Sequence, residues 1–172
     1  MKVWGTLCAV LLLGIAIGCG RPFDIKTPKG FVELEHQEPN YDYRATTADG
    51  VVVAVRAIDT DGKGDLDFWT HAVTLRIRDV GGYALLAVAD VASADGTKGK
   101  TLRFGHDENG RAYGYAVTLF WTLSRLLTIE AGGTSEQMGR FSATLDWQVK
   151  TFRARCKSPL TPALASWTCN RW

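Results

Sequence analysis

Three histidines and one aspartate-rich loop are the residues whose types could do chemistry in this chain. Asp59-Thr60-Asp61-Gly62-Lys63-Gly64-Asp65 has the outline of a calcium loop. That ion takes several oxygen ligands, and the helix-flanked version asks for acids or amides at positions 1, 3 and 5 and for Glu at 12. Counted from Asp59, position 5 is Lys63 and position 12 is Thr70, so the pattern fails at both. The stretch reads instead as a Gly/Asp turn leading into a helix capped by Asp65 or Asp67. His71 falls inside that helix beside its apolar stripe. His106 stands with Asp107 and Glu108 just before Asn109-Gly110, a sequence that marks a hairpin tip, and His36 lies among charges in a polar connection. An imidazole acts as a base when a nucleophile and an orienting acid lie within hydrogen-bond reach. The chain has no H-E-x-x-H, G-x-S-x-G, phosphate-loop or dinucleotide motif, and no closely spaced Cys/His set. The reading is therefore non-enzymatic, with no catalytic residues, no cofactor and no metal. The alternatives are a small hydrolase using His71 or His106, and an apolar-ligand carrier with a cavity between sheet and helices.

What positions these residues begins with the first nineteen. Lys2 gives a positive start, Leu7 to Ile17 an apolar run, and Ala16-Ile17-Gly18-Cys19 small residues before a cysteine, which together outline an export signal. The run falls short of the roughly 20 apolar residues of a membrane-spanning helix. These residues resemble the lipobox of bacterial lipoproteins, with Ala16 standing where that family usually has leucine. The resemblance implies cleavage between Gly18 and Cys19, acylation of the Cys19 thiol and anchorage in a membrane, where two or three acyl chains suffice to hold a soluble domain. Gly20, in place of the aspartate that retains enteric members at the inner membrane, implies the outer membrane, with the domain facing the periplasm. An ordinary cleaved signal and an uncleaved anchor are the alternatives. On this reading Cys8 leaves with the signal, and Cys156 and Cys169 remain as a pair in an oxidising compartment, where they form a disulfide.

Removing Lys2 with the signal takes the basic count from 20 to 19 against 18 acids, so no electrostatic case exists for a nucleic-acid partner. The chain then divides into a signal at 1–18, a lipidated tether at 19–29, a globular domain at 30–155 and a tail at 156–172 containing Pro159, Pro162, Trp167 and Trp172. About ten extended residues of tether allow the domain to stand some 30 Å from the bilayer.

Within the domain, Gly30 to Leu34 reads as a strand, and Tyr41–Thr46 and Val51–Ala57 as a hairpin joined at Asp49-Gly50. Tyr41, Tyr43, Val51, Val53 and Val55 share a parity that can pack inward, while Arg44 and Arg56 point elsewhere. Helical spacing runs from Phe68 to about Arg78, with Phe68, Ala72, Leu75 and Asp79 on one side and Trp69, Val73 and Ile77 adjoining, ending at Gly81-Gly82. Four strands follow, at Tyr83–Val91, Thr101–Gly105, Ala112–Trp121 and Leu126–Glu130. Ala112–Trp121 is apolar on both parities and so is expected at the centre of the sheet. Ala131-Gly132-Gly133 then turns into a helix with a Thr134/Gln137 capping box and a stripe of Met138, Phe141, Leu145, Val149 and Phe152.

The predicted class is α+β, an antiparallel sheet of about six or seven strands covered by two helices. This order, with the GFVEL opening, the ADGTKGK and GHDENG turns and the EAGGT entry to the last helix, resembles the Mog1/PsbP-like group over about Gly30 to Arg153, and is also similar to small envelope lipoproteins. The resemblance implies a sandwich fold and a binding or assembly role, with an envelope protein or polymer as partner.

Overall fold

Period-two alternation runs through most of the chain. In the structure, a computed structural model describing residues 21–35 and 39–154, that alternation produces one seven-stranded antiparallel sheet and a two-stranded ribbon. In chain order the elements are β1 (Phe23–Asp24), β2 (Val32–Glu33), β3 (Tyr43–Thr46), β4 (Val52–Asp59), α1 (Leu66–Leu75), β5 (Ala84–Ala92), β6 (Lys98–Glu108), β7 (Arg111–Trp121), β8 (Arg125–Thr134), α2 (Ser135–Arg140), α3 (Ser142–Thr151) and β9 (Arg153–Ala154). A π-helical turn at Arg76–Val80 continues α1. The large sheet has the order β2-β3-β4-β8-β7-β6-β5, and β1 pairs with β9.

Both faces of the sheet are covered, which is why its strands carry apolar residues on both parities. One face packs Tyr43, Val53, Val55, Phe120, Leu127 and Ile129 against Leu145 and Phe152 of the α3 side. The other packs Leu102, Phe104, Val117, Leu119 and Leu126 against Leu66, Trp69, Val73 and Ile77 of the α1 side. The stripe facing the sheet from α1 is thus the adjoining row, and Phe68 and Leu75, expected on the leading side, are 57% and 40% exposed. Asp65 supplies the cap, its Oδ1 accepting from the Phe68 N–H at 2.7 Å.

The centre of the sheet is β8, with β7 beside it. Strand β7 has the more continuous apolar sequence because helices cross both of its faces, whereas β8 carries Thr128, Glu130 and two glycines in its interior. Strand β8 also runs four residues beyond Glu130, taking up the Ala131-Gly132-Gly133 stretch expected as a turn. Close packing explains those glycines: a Cβ on Gly132 would lie 3.3 Å from the Tyr115 ring, and one on Gly133 3.2 Å from Val51. Strand β6 is likewise longer than expected, so His106, Asp107 and Glu108 belong to the strand and the tip narrows to Asn109 and Gly110, at φ 53° and 76°. The Thr134/Gln137 capping box forms as read. The final helix breaks at Phe141, which turns its ring edge-on to Phe31 at 5.5 Å, and the apolar stripe continues across the break.

Phe23 and Pro28, inside the stretch expected to act as a tether, are buried. Phe23 is 2% exposed and stacks on Phe152, which stacks in turn on Phe120.

Candidate functional site

Helix α1 lies over β6 and β7 and leaves the β4–β8 half of its face uncovered. The resulting groove holds about 320 Å³. Parity sets its floor: Val52 and Ala54 of β4 and Gly132 of β8 project on this side because Val51, Val53, Val55 and Ala131 project on the other. The floor is made of small side chains, and the walls are tyrosines. Tyr113 and Tyr115 come from β7, Tyr83 from the residue before β5, and Tyr41 from the segment before β3. Tyr41 was expected to share the inward parity of Tyr43. It lies ahead of β3 and sits on the opposite face, its ring 4.7 Å from the Arg56 guanidinium and 5.6 Å from that of Arg44. Beyond Tyr41 a second depression of about 360 Å³ opens along Pro39, Asn40 and Ile58.

One carboxylate is buried at the edge of the groove. Glu130 is 8% exposed, on β8, and Arg56 on β4 reaches it with both arms of its fork, Nε to Oε1 at 2.9 Å and Nη2 to Oε2 at 2.7 Å. The Tyr115 hydroxyl donates to Oε2 at 2.8 Å, and the Thr128 hydroxyl to Oε1 at 3.1 Å. Four donors occupy the acceptor sites of this carboxylate, so it has no free lone pair with which to take a proton from a substrate. Burial, followed by the Glu130 charge, pushes the Tyr115 phenol well above the ordinary tyrosine range. Arg56 is held even more firmly protonated, chiefly by its hydrogen bonds to Glu130. The ion pair, its two hydroxyl donors and the Tyr41 ring form a neutral, rigid wall. Such a wall offers flat aromatic faces and fixed polar edges, which suits recognition rather than bond-making.

Of the described histidines, neither His71 nor His106 stands in a catalytic arrangement. His71 is exposed on α1, and His106 sets its Nδ1 3.1 Å from the Gly82 carbonyl with its ring 5.0 Å from that of Tyr83. Asp59 and Asp107 each accept a backbone N–H in their own turns, from Asp61 at 3.1 Å and Gly110 at 3.2 Å. Among the described residues no three His, Cys, Asp or Glu side chains gather to hold a metal ion. On the opposite face, a cavity lined by Thr101, Thr118, Leu145 and Gln148 holds about 20 Å³, room for one water, and beside it a depression of about 410 Å³ opens between β5, β6 and α3 along Ala89, Val91, Arg103 and Val149. Gly18 and Cys19 of the expected cleavage and acylation site, the Cys156 and Cys169 pair, and His36 lie outside the described residues. No helix among the described residues is long and apolar enough to cross a membrane.

Sequence reading missed the groove because its residues come from five separate segments. A signal existed all the same. Arg56 interrupts VVVAVRAI and Glu130 interrupts LLTIEA, and one isolated charge of each sign inside an apolar strand marks a buried ion pair.

No protein-family model matches the chain, and no curated protein does. Solved structures do match. LpqN of Mycobacterium tuberculosis, described as involved in cell envelope biogenesis, superposes with a TM-score of 0.62 at 10% identity, over 76% of this chain and 81% of that one. The Ran-binding protein Mog1p of Saccharomyces cerevisiae gives 0.54 at 13% identity, over 77% and 90%. The PsbP protein of the cyanobacterium Synechocystis gives 0.52 at 15% identity, over 83% and 98%. Likeness at such low identity speaks to architecture, and the seven-stranded antiparallel sheet with helices on both faces is the Mog1/PsbP-like α+β fold.

Proposed function

We propose that this chain is a non-enzymatic envelope lipoprotein, cut between Gly18 and Cys19, acylated on Cys19 and facing the periplasm from the outer membrane, whose tyrosine groove binds an envelope protein or polymer. The observation that carries the reading is the groove itself: four tyrosines around a small-residue floor, with its one buried carboxylate already saturated. The architectural likeness to LpqN, a protein of cell envelope biogenesis, supports the compartment. The expected disulfide between Cys156 and Cys169 belongs to the same reading, since it needs an oxidising compartment.

Two measurements test it. Metabolic labelling with palmitate marks the wild-type protein and leaves Cys19→Ser unlabelled; equal labelling of the two removes the anchor. Crosslinking in intact cells, comparing wild type with a Tyr83→Ala/Tyr113→Ala double variant, is expected to lose specific adducts while the variant stays membrane-bound. An unchanged adduct pattern removes the groove as the recognition surface.

A further inference from the structure

The chain between the acylation site and the folded body is much shorter than the tether the sequence implies. Phe23 is already core: 2% exposed, stacked on Phe152 at 5.5 Å, and paired through its backbone with Ala154. Arg21 is held too, its Nη2 2.6 Å from Glu33 and its guanidinium 5.5 Å from the Tyr43 ring centre. Four residue steps separate Cys19 from Phe23, about 13 Å of fully extended chain.

We propose that the domain rests directly against the headgroup layer of the bilayer on the side of its β1–β9 ribbon, with the tyrosine groove opening away from the membrane. The inference rests on the acylation of Cys19 proposed above and adds an orientation to it. Three segments make the membrane-facing side one unit. The Ala94 N–H donates to the Phe152 carbonyl at 2.8 Å, and the Ala154 N–H donates to Asp95 Oδ1 at 3.3 Å, tying the β5–β6 turn to the ribbon. Lys98 and Arg153 are exposed beside these contacts, with Asp24 opposite Arg153 in the ribbon and Asp95 in the turn. The groove lies on the other face of the sheet. Phe120, in the Phe23–Phe152 stack, and Tyr113, in the groove wall, belong to the same strand, seven residues apart and on opposite faces, about 24 Å along β7. An occupant of the groove therefore arrives from the aqueous side, and lipid tails have no route to it.

Hydrogen exchange tests the orientation. The full-length acylated protein is placed in vesicles of phosphatidylethanolamine and phosphatidylglycerol, with Cys19→Ser as the free control. Flotation and the mass of the N-terminal peptide are read first: a wild-type protein that neither floats nor carries acyl mass overturns the acylation and, with it, this inference. For protein that floats, exchange at 21–26 and 93–98 is expected to slow by about threefold or more against the control, with 113–115 and 130–133 unchanged. Uniform rates, or protection centred on the groove, overturn the orientation while leaving the anchor standing. A Gly/Ser insertion of about twelve residues between Gly20 and Arg21 is expected to float yet exchange like the control, because the slack frees the domain from the surface. Protection that survives the insertion overturns the argument from tether length.

Discussion

At the scale of single residues, the ion pair beside the groove is the most exposed to test. Removing Arg56 leaves a carboxylate of an 8%-exposed residue without its counter-charge, and the cost of that exceeds the worth of the pair itself. Arg56→Ala is therefore expected to destabilise by about 2 kcal/mol, below the figure for a wholly buried pair because the arginine side chain is itself 35% exposed. Adding Glu130→Gln to that variant is expected to recover part of the loss in urea melts. Two phenols set the alkaline limit. Burial raises Tyr43 and Tyr115 above the ordinary tyrosine value, foremost in both cases, and the charges of Glu33 and Glu130 push in the same direction. A phenol raised in the folded state contributes its full stability below the unfolded value of about 10 and loses it as pH climbs, since the unfolded chain then ionises first. Stability is expected to fall above about pH 10, and Tyr115→Phe to flatten the fall in urea melts taken at successive pH values. Little of this could be read from one dimension. The inward parity of Tyr43 is legible in the sequence, but the same count misplaces Tyr41, because β3 starts only at Tyr43. The Asp42 carboxylate, accepting the Ala57 N–H at 2.8 Å, stands where the next ladder bond would be, and Tyr41 crosses to the other face.

Local chemistry was more legible at the scale of elements, where the determinants sit within a few residues of one another. Asp65 as a cap and the Thr134/Gln137 box follow from side chains reaching backbone groups three positions away. Asp65→Ala is expected to cost about 1 kcal/mol and Thr134→Ala about the same, read as shifts in the urea midpoint. Strand lengths and strand order were harder, because they depend on what packs across the sheet. Gly99 is an example: in the sequence it belongs to a polar turn, and in the structure it faces Phe120, where an added Cβ would come within 2.5 Å of the ring and of the Leu119 carbonyl. Gly99→Ala is expected to cost about 2 kcal/mol by overpacking, a sign opposite to the usual gain from replacing a glycine. The central strand shows the same limit. Apolar content on both parities reports that helices lie above and below, which is true of β7, and does not report the number of strands on either side.

At the scale of the whole molecule, the class and the helix-covered antiparallel sheet were legible because patterns of period two and period 3.6 alternate cleanly along the chain. The groove and the docking of the N-terminal segment were not, since both are made by residues distant in sequence. Phe152 is where those distant pieces converge, fully buried between Phe23 and Phe120. Phe152→Ala is expected to cost about 3–5 kcal/mol. Hydrogen exchange at Phe23 and Asp24 should rise further than exchange at Leu102 and Phe104 of β6, whose side chains pack on the α1 side. The pairing of Phe23 with Ala154 also bears on how the protein is made. A ribosome releases Phe23 more than a hundred residues before its partner exists, so the emerging polypeptide cannot finish folding until almost all of this sheet has been synthesised. Through that interval Phe23 stays uncovered, joined by Phe120 once it is made, a handle for holdase chaperones that disappears when Phe152 arrives and β9 zips into place.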